Sequence, residues 1–280
     1  MIWELARGRR IDFRQRVQVM GVLNVTPDSF YDGGRYSEPA AAVERALSQA
    51  EAGADIVDVG GESTRPPLYG PAAEVPAAEE GRRIVPVIEA IRRHSDIPLS
   101  VDTVKAEVAR QALAAGADIV NDISALTHDE EMATAAAEAG APVILMHRRG
   151  TPATMQRNTH YDDLTGEVAG YLESRVDHAG RHGIPARRVA VDPGIGFGKS
   201  FAGNHQLLRR AGSFSVRGCP VVVGASRKSF LWKPVGLTPD DALEASLAAG
   251  ILAVIHGARA LRVHDVKETV RAVRLLEAAP

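Results

Sequence analysis

Ala52-Gly53-Ala54-Asp55-Ile56-Val57-Asp58 returns further along the chain as Ala115-Gly116-Ala117-Asp118-Ile119-Val120-Asn121-Asp122. A looser echo follows at Ala139-Gly140-Ala141-Pro142-Val143-Ile144-Leu145. Each copy reads as a helix ending in alanine, a glycine just past its end, and a short apolar strand. Glycine suits that stop because it tolerates positive φ. Repeated helix–glycine–strand units belong to parallel α/β folds. Working outward, strand candidates fall at Val17–Asn24, Ile56–Gly60, Leu99–Asp102, Ile119–Asn121, Val143–His147, Val189–Asp192, Val221–Ala225 and Ala260–His264. Most are nearly continuous runs of Val, Ile and Leu, as in strands buried on both faces. Helical spacing lies between them, for example Val43, Ala46, Leu47 and Ala50, and Thr127 with Glu130 and Asp265 with Glu268 have capping-box spacing. Eight βα units in about 250 residues predict a single (β/α)8 TIM barrel. One domain spans residues 1–280, and Ile2–Phe13 reads as a short N-terminal hairpin turning at Arg7-Gly8 and closing the barrel bottom. The alternative, a doubly wound open sheet, usually carries a glycine-rich phosphate loop after its first strand, and none stands there.

Composition narrows the class of function. The chain has 280 residues, 33 Lys+Arg against 35 Asp+Glu and a net charge of −2, which provides no basic field for nucleic acid or anionic lipid. The lone cysteine, Cys219, excludes a disulfide scaffold or a four-cysteine zinc site. Met1 to Arg10 lacks the apolar centre of a signal peptide, and no stretch approaches the roughly 20 apolar residues of a membrane span. The expectation is a cytoplasmic protein with small-molecule substrates.

In a barrel, chemistry gathers where strands pass into βα loops. Here those positions are Asn24, the Gly61-Glu62-Ser63-Thr64-Arg65 loop, Asp102, Asn121, Met146-His147, Asp192, Ser226-Arg227-Lys228, Arg262 and His264. Asp102, Asn121 and Asp192 suit a flat heterocycle rich in N–H donors, such as a pterin or purine, with Asp192 placed for paired hydrogen bonds. The same residues also read blandly, Asp102 and Asp122 as helix N-caps and Asp192 as a turn residue before Pro193, and Asp122 is left to that reading. Lys228, Arg262, His264 and Asn24 form an opposite, cationic side for a polyanion, with the Asn24 amide oxygen offered to Mg2+. The bland counterpart is that Arg262 and His264 pair with the barrel's own acids. His128, His160, His178, His182 and His205 sit in polar or helical contexts and are expected at the surface.

Gly194-Ile195-Gly196-Phe197-Gly198-Lys199-Ser200 looks like a phosphate loop but has the wrong spacing for one, and it is one glycine short of GxGxxG. The glycines instead suit backbone lying flat against a ring, with Phe197 as an apolar wall.

Together these segments resemble the dihydropteroate synthase family along nearly the whole chain. The resemblance is carried by Gly21-Val22-Leu23-Asn24-Val25-Thr26-Pro27-Asp28-Ser29-Phe30, Asp58-Val59-Gly60-Gly61-Glu62-Ser63-Thr64-Arg65-Pro66, Ser100-Val101-Asp102-Thr103, Asn121-Asp122-Ile123-Ser124, Met146-His147, Asp192-Pro193-Gly194-Ile195-Gly196-Phe197-Gly198-Lys199, Ser226-Arg227-Lys228-Ser229-Phe230 and Arg262-Val263-His264-Asp265. The resemblance implies a barrel that joins a pterin diphosphate to 4-aminobenzoate and releases pyrophosphate. It implies that Asp102, Asn121, Asp192 and Lys228 hold the pterin, with Met146 and Phe197 lining its slot. Asn24, Arg262 and His264 would take the diphosphate and Mg2+, while Thr64, Arg65 and Ser229 meet 4-aminobenzoate. Asp102, Lys228, Arg262 and His264 are the residues it implies for catalysis. Loops Thr26–Ser37 and Glu62–Pro76 would close as lids, the protein would be a homodimer, and sulfonamides would inhibit it.

An aromatic amine is neutral near pH 7 and needs no strong base, so help is expected at the leaving pyrophosphate. The predicted route is a dissociative substitution, with Asp102 stabilising cationic character. The chain departs from the family pattern at Pro67-Leu68-Tyr69-Gly70, Trp232 and Arg148-Arg149. Two rivals share the ring-binding residues: pterin-binding methyltransferases and a non-catalytic pterin-binding relative. Neither calls for the Lys228, Arg262 and His264 group beside the Thr64-Arg65 loop.

Overall fold

The computed structural model describes residues 1–26, 38–62, 74–150 and 154–279. Two short strands, β1 (Ile2–Glu4) and β2 (Arg10–Asp12), pair antiparallel as the expected hairpin. The barrel strands among the described residues are β3 (Gln18–Asn24), β4 (Ile56–Gly60), β5 (Leu99–Asp102), β6 (Ile119–Asp122), β7 (Val143–Met146), β8 (Val189–Asp192), β9 (Val222–Val223) and β10 (Ala260–Val263). All neighbours run parallel in the order β8-β7-β6-β5-β4-β3-β10-β9, and a bridge between Val191 and Val221 closes the ring. The helices around it are α1 (Glu38–Glu51), α2 (Ala77–Arg92), α3 (Ala106–Ala115), α4 (Met132–Glu138), α5 (Leu164–Arg181), α6 (Phe201–Leu208), α7 (Ser229–Trp232), α8 (Ala242–Ile255) and α9 (Val266–Ala278). This is the predicted (β/α)8 TIM barrel with an N-terminal hairpin. The glycine stop holds as read: Gly116 has φ 116° and ends α3 with its N–H on the Ala112 and Leu113 carbonyls.

Side-chain alternation divides the molecule into two cores. Val57, Leu99, Val101, Val120, Val143, Leu145, Val189 and Val191 point outward and pack against Ile84, Ile88, Val108, Ala112, Val168 and Leu172 of the helices. The alternate residues Met20, Ile56, Ile119, Ile144, Ala190, Val222 and Ala260 fill the lower lumen, where Trp3, Ile11 and Phe13 of the hairpin join them. Trp3 and Phe13 meet edge to face at 4.9 Å. Two residues further up, Ile56, Ile119, Ala190 and Ala260 give way on the same face to Asp58, Asn121, Asp192 and Arg262, while Ile144 gives way to Met146. The floor of the site is therefore a plug of packed hydrocarbon.

Some local expectations change. Val221–Ala225 contracts to β9 because Val221 makes only the single closing bridge. Thr127 does not open a helix: α4 begins at Met132, and the Thr127 hydroxyl donates to the Ser124 carbonyl instead. Asp265 does precede α9 but makes no capping bond, because Arg227 takes its carboxylate in a two-pronged pair at 2.9 and 2.5 Å. His128, His160 and His182 are exposed, while His178 and His205 are half-buried.

Candidate active site

Parallel register sets the upper residues side by side: Asn24 with Gly60, Gly60 with Asp102, Asp102 with Asn121, and Met146 with Asp192. Because successive residues face opposite ways, Asn121 enters the lumen while Asp122 turns outward. There Asp122 accepts from the Ser124 N–H and hydroxyl at 2.7 and 2.6 Å and from the Leu126 N–H at 2.7 Å, so it holds a turn and is not the helix N-cap of the bland reading, since α4 begins only at Met132. Asp102 is no N-cap, since Lys105 occupies that position before α3.

The centre of the site is a residue that the sequence reading passed over. Asp58 has 0% exposure and accepts three side-chain bonds: from Ser100 Oγ at 2.5 Å, Asn121 Nδ2 at 3.1 Å and Arg262 Nε at 2.6 Å. Arg262 extends its Nη2 to Asp102 at 2.6 Å. The predicted division of the rim into an acidic side and a cationic side is thus corrected for Arg262, which lies between two carboxylates. Burial works against its charge, yet Asp58 and Asp102 hold the guanidinium more firmly protonated than usual. Burial pushes the Asp102 carboxyl up, with Arg262 pulling it back and the Asp58 charge adding to the rise. Arg262 keeps 25% of its side chain exposed, and a guanidinium has five N–H donors, so donors remain to face the mouth.

Across the mouth, Asp192 is buried and its Oδ1 accepts from the Gly194 N–H at 2.7 Å. Burial raises its pKa against that bond and the Lys228 charge. Lys228 donates to the Ile195 carbonyl, and its Nζ lies 4.6 Å from the centroid of the Phe197 ring. Burial pushes this amine down to about 8, with Asp192 opposing and Arg262 assisting. Gly194 must be glycine: its φ is +70°, and a β-carbon there would run into the His147 carbonyl oxygen. Met146 is buried at the end of β7, and half-buried Phe197 follows in the β8–α6 loop.

His264 binds Ser226 Oγ through Nδ1 at 3.1 Å, and Asn24 sits half-buried at the tip of β3. Ser229 opens the short α7, beside Lys228. Thr64 and Arg65, with most of the two predicted lid loops and Pro67, lie outside the described residues. Arg227, grouped with Lys228 in the sequence, instead clamps Asp265 away from the mouth. Arg149 lies 3.5 Å over the Tyr161 ring and pairs with Glu167, and the half-buried Trp232 donates its indole N–H to the Arg227 carbonyl at 3.5 Å.

Mg2+ fits this donor set in one form only. Among the described residues no group of three His, Cys, Asp or Glu side chains could cage a metal. One Asn24 oxygen suits an ion that arrives with a diphosphate and keeps most of its ligands as phosphate oxygen and water.

Comparison with known proteins places the geometry in context. The sequence pattern of the family described as pterin binding enzyme matches residues 20–264. The dihydropteroate synthase of Escherichia coli strain K12 is 45% identical over 273 residues, covering 98% of this chain and 95% of that protein. The Xanthomonas albilineans dihydropteroate synthase solved with 4-aminobenzoic acid superposes with a TM-score of 0.89 at 45% identity, covering 98% of this chain and 97% of the other. The same organism's enzyme in complex with 7,8-dihydropteroate gives a TM-score of 0.86 at 42% identity, with 98% of both chains covered.

Proposed function

Because this chain belongs to the dihydropteroate synthase family of pterin-binding enzymes, we propose that its barrel mouth condenses 6-hydroxymethyl-7,8-dihydropterin diphosphate with 4-aminobenzoate. The chain is a transferase of folate synthesis, and the products are 7,8-dihydropteroate and pyrophosphate. One observation carries the assignment of residues: Arg262 is hydrogen-bonded to Asp102, which sets an anion-binding group directly against a ring-binding one. A substrate joining a pterin to a diphosphate through one methylene needs those two groups adjacent.

Asp102, Asn121, Asp192 and Lys228 bind and orient the pterin, with Met146 and Phe197 on its faces. Asn24, Arg262 and His264 take the diphosphate, and Ser229, with Thr64 and Arg65, receives 4-aminobenzoate. In the reaction the carbon–oxygen bond to the diphosphate breaks, and its electron pair leaves with pyrophosphate. The aniline nitrogen bonds the methylene carbon and gives its proton to water. Arg262 and His264 stabilise charge growing on the leaving oxygens, while Asp102 faces the cationic character left on the pterin. Asn24 would hold Mg2+ beside the diphosphate, and the ion would supply further neutralisation of the leaving charge.

The reading extends to a cytoplasmic homodimer. Helix α8 is apolar almost all round, yet only Ala242, Ala249 and Ala253 are buried along it; its last residue, Ile255, is exposed, as are Val235 and Leu237 in the segment before it. An all-round apolar helix at a surface suits a second copy of the chain. Among the described residues no helix is long and apolar enough to cross a membrane. Sedimentation equilibrium tests the dimer, and a monomer at all concentrations removes it.

The test of function is pyrophosphate release from purified protein with both substrates and Mg2+. Release that needs both substrates supports the synthase; none with both present favours a non-catalytic pterin binder. Isotope effects showing strong amine bonding in the transition state would exclude the dissociative route.

A further inference from the structure

Lys199, the residue that makes the Gly194–Ser200 run look like a phosphate loop, points away from any phosphate. Its side chain is among the largest fully buried ones, with 2% exposure. Nζ lies 2.8 Å from the Gly194 carbonyl, 3.0 Å from that of Phe197, 3.1 Å from that of His147 and 2.9 Å from His147 Nδ1. The three N–H donors of an ammonium face these four acceptors, so at least one donor is shared between two of them. The imidazole then presents an unprotonated Nδ1, and burial, with the Lys199 and Arg149 charges, pushes His147 down to about 3. Burial also draws the Lys199 amine well below its ordinary value, while Asp192 opposes that shift.

Stability alone does not account for this arrangement. A buried charge gains little net free energy, and an apolar side chain of similar volume commonly does as well or better. What the amine does provide is geometry. It ties the end of β7 to the loop after β8, and that loop carries one half of the site. Asp192 is bonded to the Gly194 N–H, Lys228 to the Ile195 carbonyl, and Phe197 supplies its ring. Asn24, Arg262, His264 and Ser229 stand on other strand ends and loops.

We propose that Lys199 is a positioning residue for the pterin half of the site, an internal cation around which the Gly194–Phe197 backbone is shaped, with no substrate contact of its own. The inference rests on the pterin assignment made above. It predicts a split between the two substrates: loss of the amine disturbs the ring-binding side and leaves the 4-aminobenzoate side in place.

The experiment uses full-length Lys199→Met, which keeps most of the side-chain volume and removes the three donors. Misplacement by about 1 Å can cost 10²-fold, so a KM for the pterin diphosphate raised at least about tenfold, with that for 4-aminobenzoate within about twofold, is the expected result. In Lys199→Ala, added n-propylammonium restores part of the pterin KM and tetramethylammonium does not. Unchanged KM values, or both rising in step, overturn the proposal, provided the unmodified protein turns over. An unmodified protein without turnover overturns the function reading instead. A measurement on the unmodified protein needs no variant to fold: nitrogen-15 NMR should show His147 with a bare Nδ1 at pH 6. An imidazolium or an Nδ1–H tautomer there refutes the geometry.

Discussion

Replacing Asp58 by alanine removes one acceptor from three donors at once: Ser100, Asn121 and Arg262. Breaking a buried ion pair by deleting one partner costs about 3–5 kcal/mol. Arg262 keeps its bond to Asp102 and is partly exposed, so the lower end, about 3 kcal/mol, applies here. With an unfolding entropy near 2.1 cal/mol/K per residue over a chain of this length, Asp58→Ala should melt about 5 °C lower. Asp58→Asn is gentler for a geometric reason. Its amide oxygen can face Arg262 and Asn121 together, because both bond the same carboxylate oxygen. Its NH2 then meets the Ser100 hydroxyl, which can accept as well as donate. Only the charge assistance is lost, about 1 kcal/mol, or about 2 °C. Calorimetry checks both variants. In parallel, kcat/KM for the pterin diphosphate should fall about 10²-fold in the alanine variant and about tenfold in the asparagine one as Arg262 loses its fixed seat. An alanine variant that melts within about 1 °C of the parent and turns over normally would refute the role of Asp58. Equal damage from both substitutions would show that charge, rather than bond geometry, is what Arg262 requires.

Other outcomes follow from neighbouring groups. Arg262→Ala should lower turnover more than about tenfold while pterin lacking the diphosphate still binds; unchanged turnover, read by pyrophosphate release, removes Arg262 from the anion site. Lys228 titrates at about 8, so kcat/KM for the pterin diphosphate should decline as pH rises through that value, and Lys228→Met should flatten the profile. The same depressed pKa means that from about pH 8 to 10.5 the unfolded chain holds a proton the folded one has released, so this group's contribution to stability grows with pH across that window. Cys219 is fully buried and its thiol is pushed up to about 12, so a thiol reagent at pH 8 should leave the native protein unmodified and label it after denaturation.

The strands were legible because each is a short apolar run bounded by glycine or a polar end, a local pattern. Leu99–Asp102 and Val189–Asp192 appear with the bounds read from the residues. Strand-end positions were legible for the same reason, since register in a closed parallel sheet brings Asn24, Asp102, Asn121 and Asp192 to one level. The partnerships among them were not. Asp58 meets residues 42, 63 and 204 positions away, and no spacing in the chain encodes such contacts. Its one local sign was alternation: a carboxylate two residues past Ile56 on the same face as that apolar side chain. Lys199 was set aside with the phosphate-loop spacing, but its inward role was not legible. A lysine after glycines looks like an exposed phosphate ligand, and only the close approach of β7 and β8 turns it inward. The capping pattern at Thr127 failed because its hydroxyl is turned back to the Ser124 carbonyl and α4 begins only at Met132.

The hydrocarbon plug at the bottom of the barrel has a consequence for the order of events in synthesis. Trp3, Ile11 and Phe13 are made early, but their surroundings include Val222 and Ala260, and β3 completes its pairing only when Gln18 meets Ala260. On the ribosome the packing around the hairpin is therefore incomplete until Val222 and Ala260 have been made. Ring closure across such a separation is slow, and the waiting surface is apolar. The first residues of the barrel floor are thus among the last to have their packing completed.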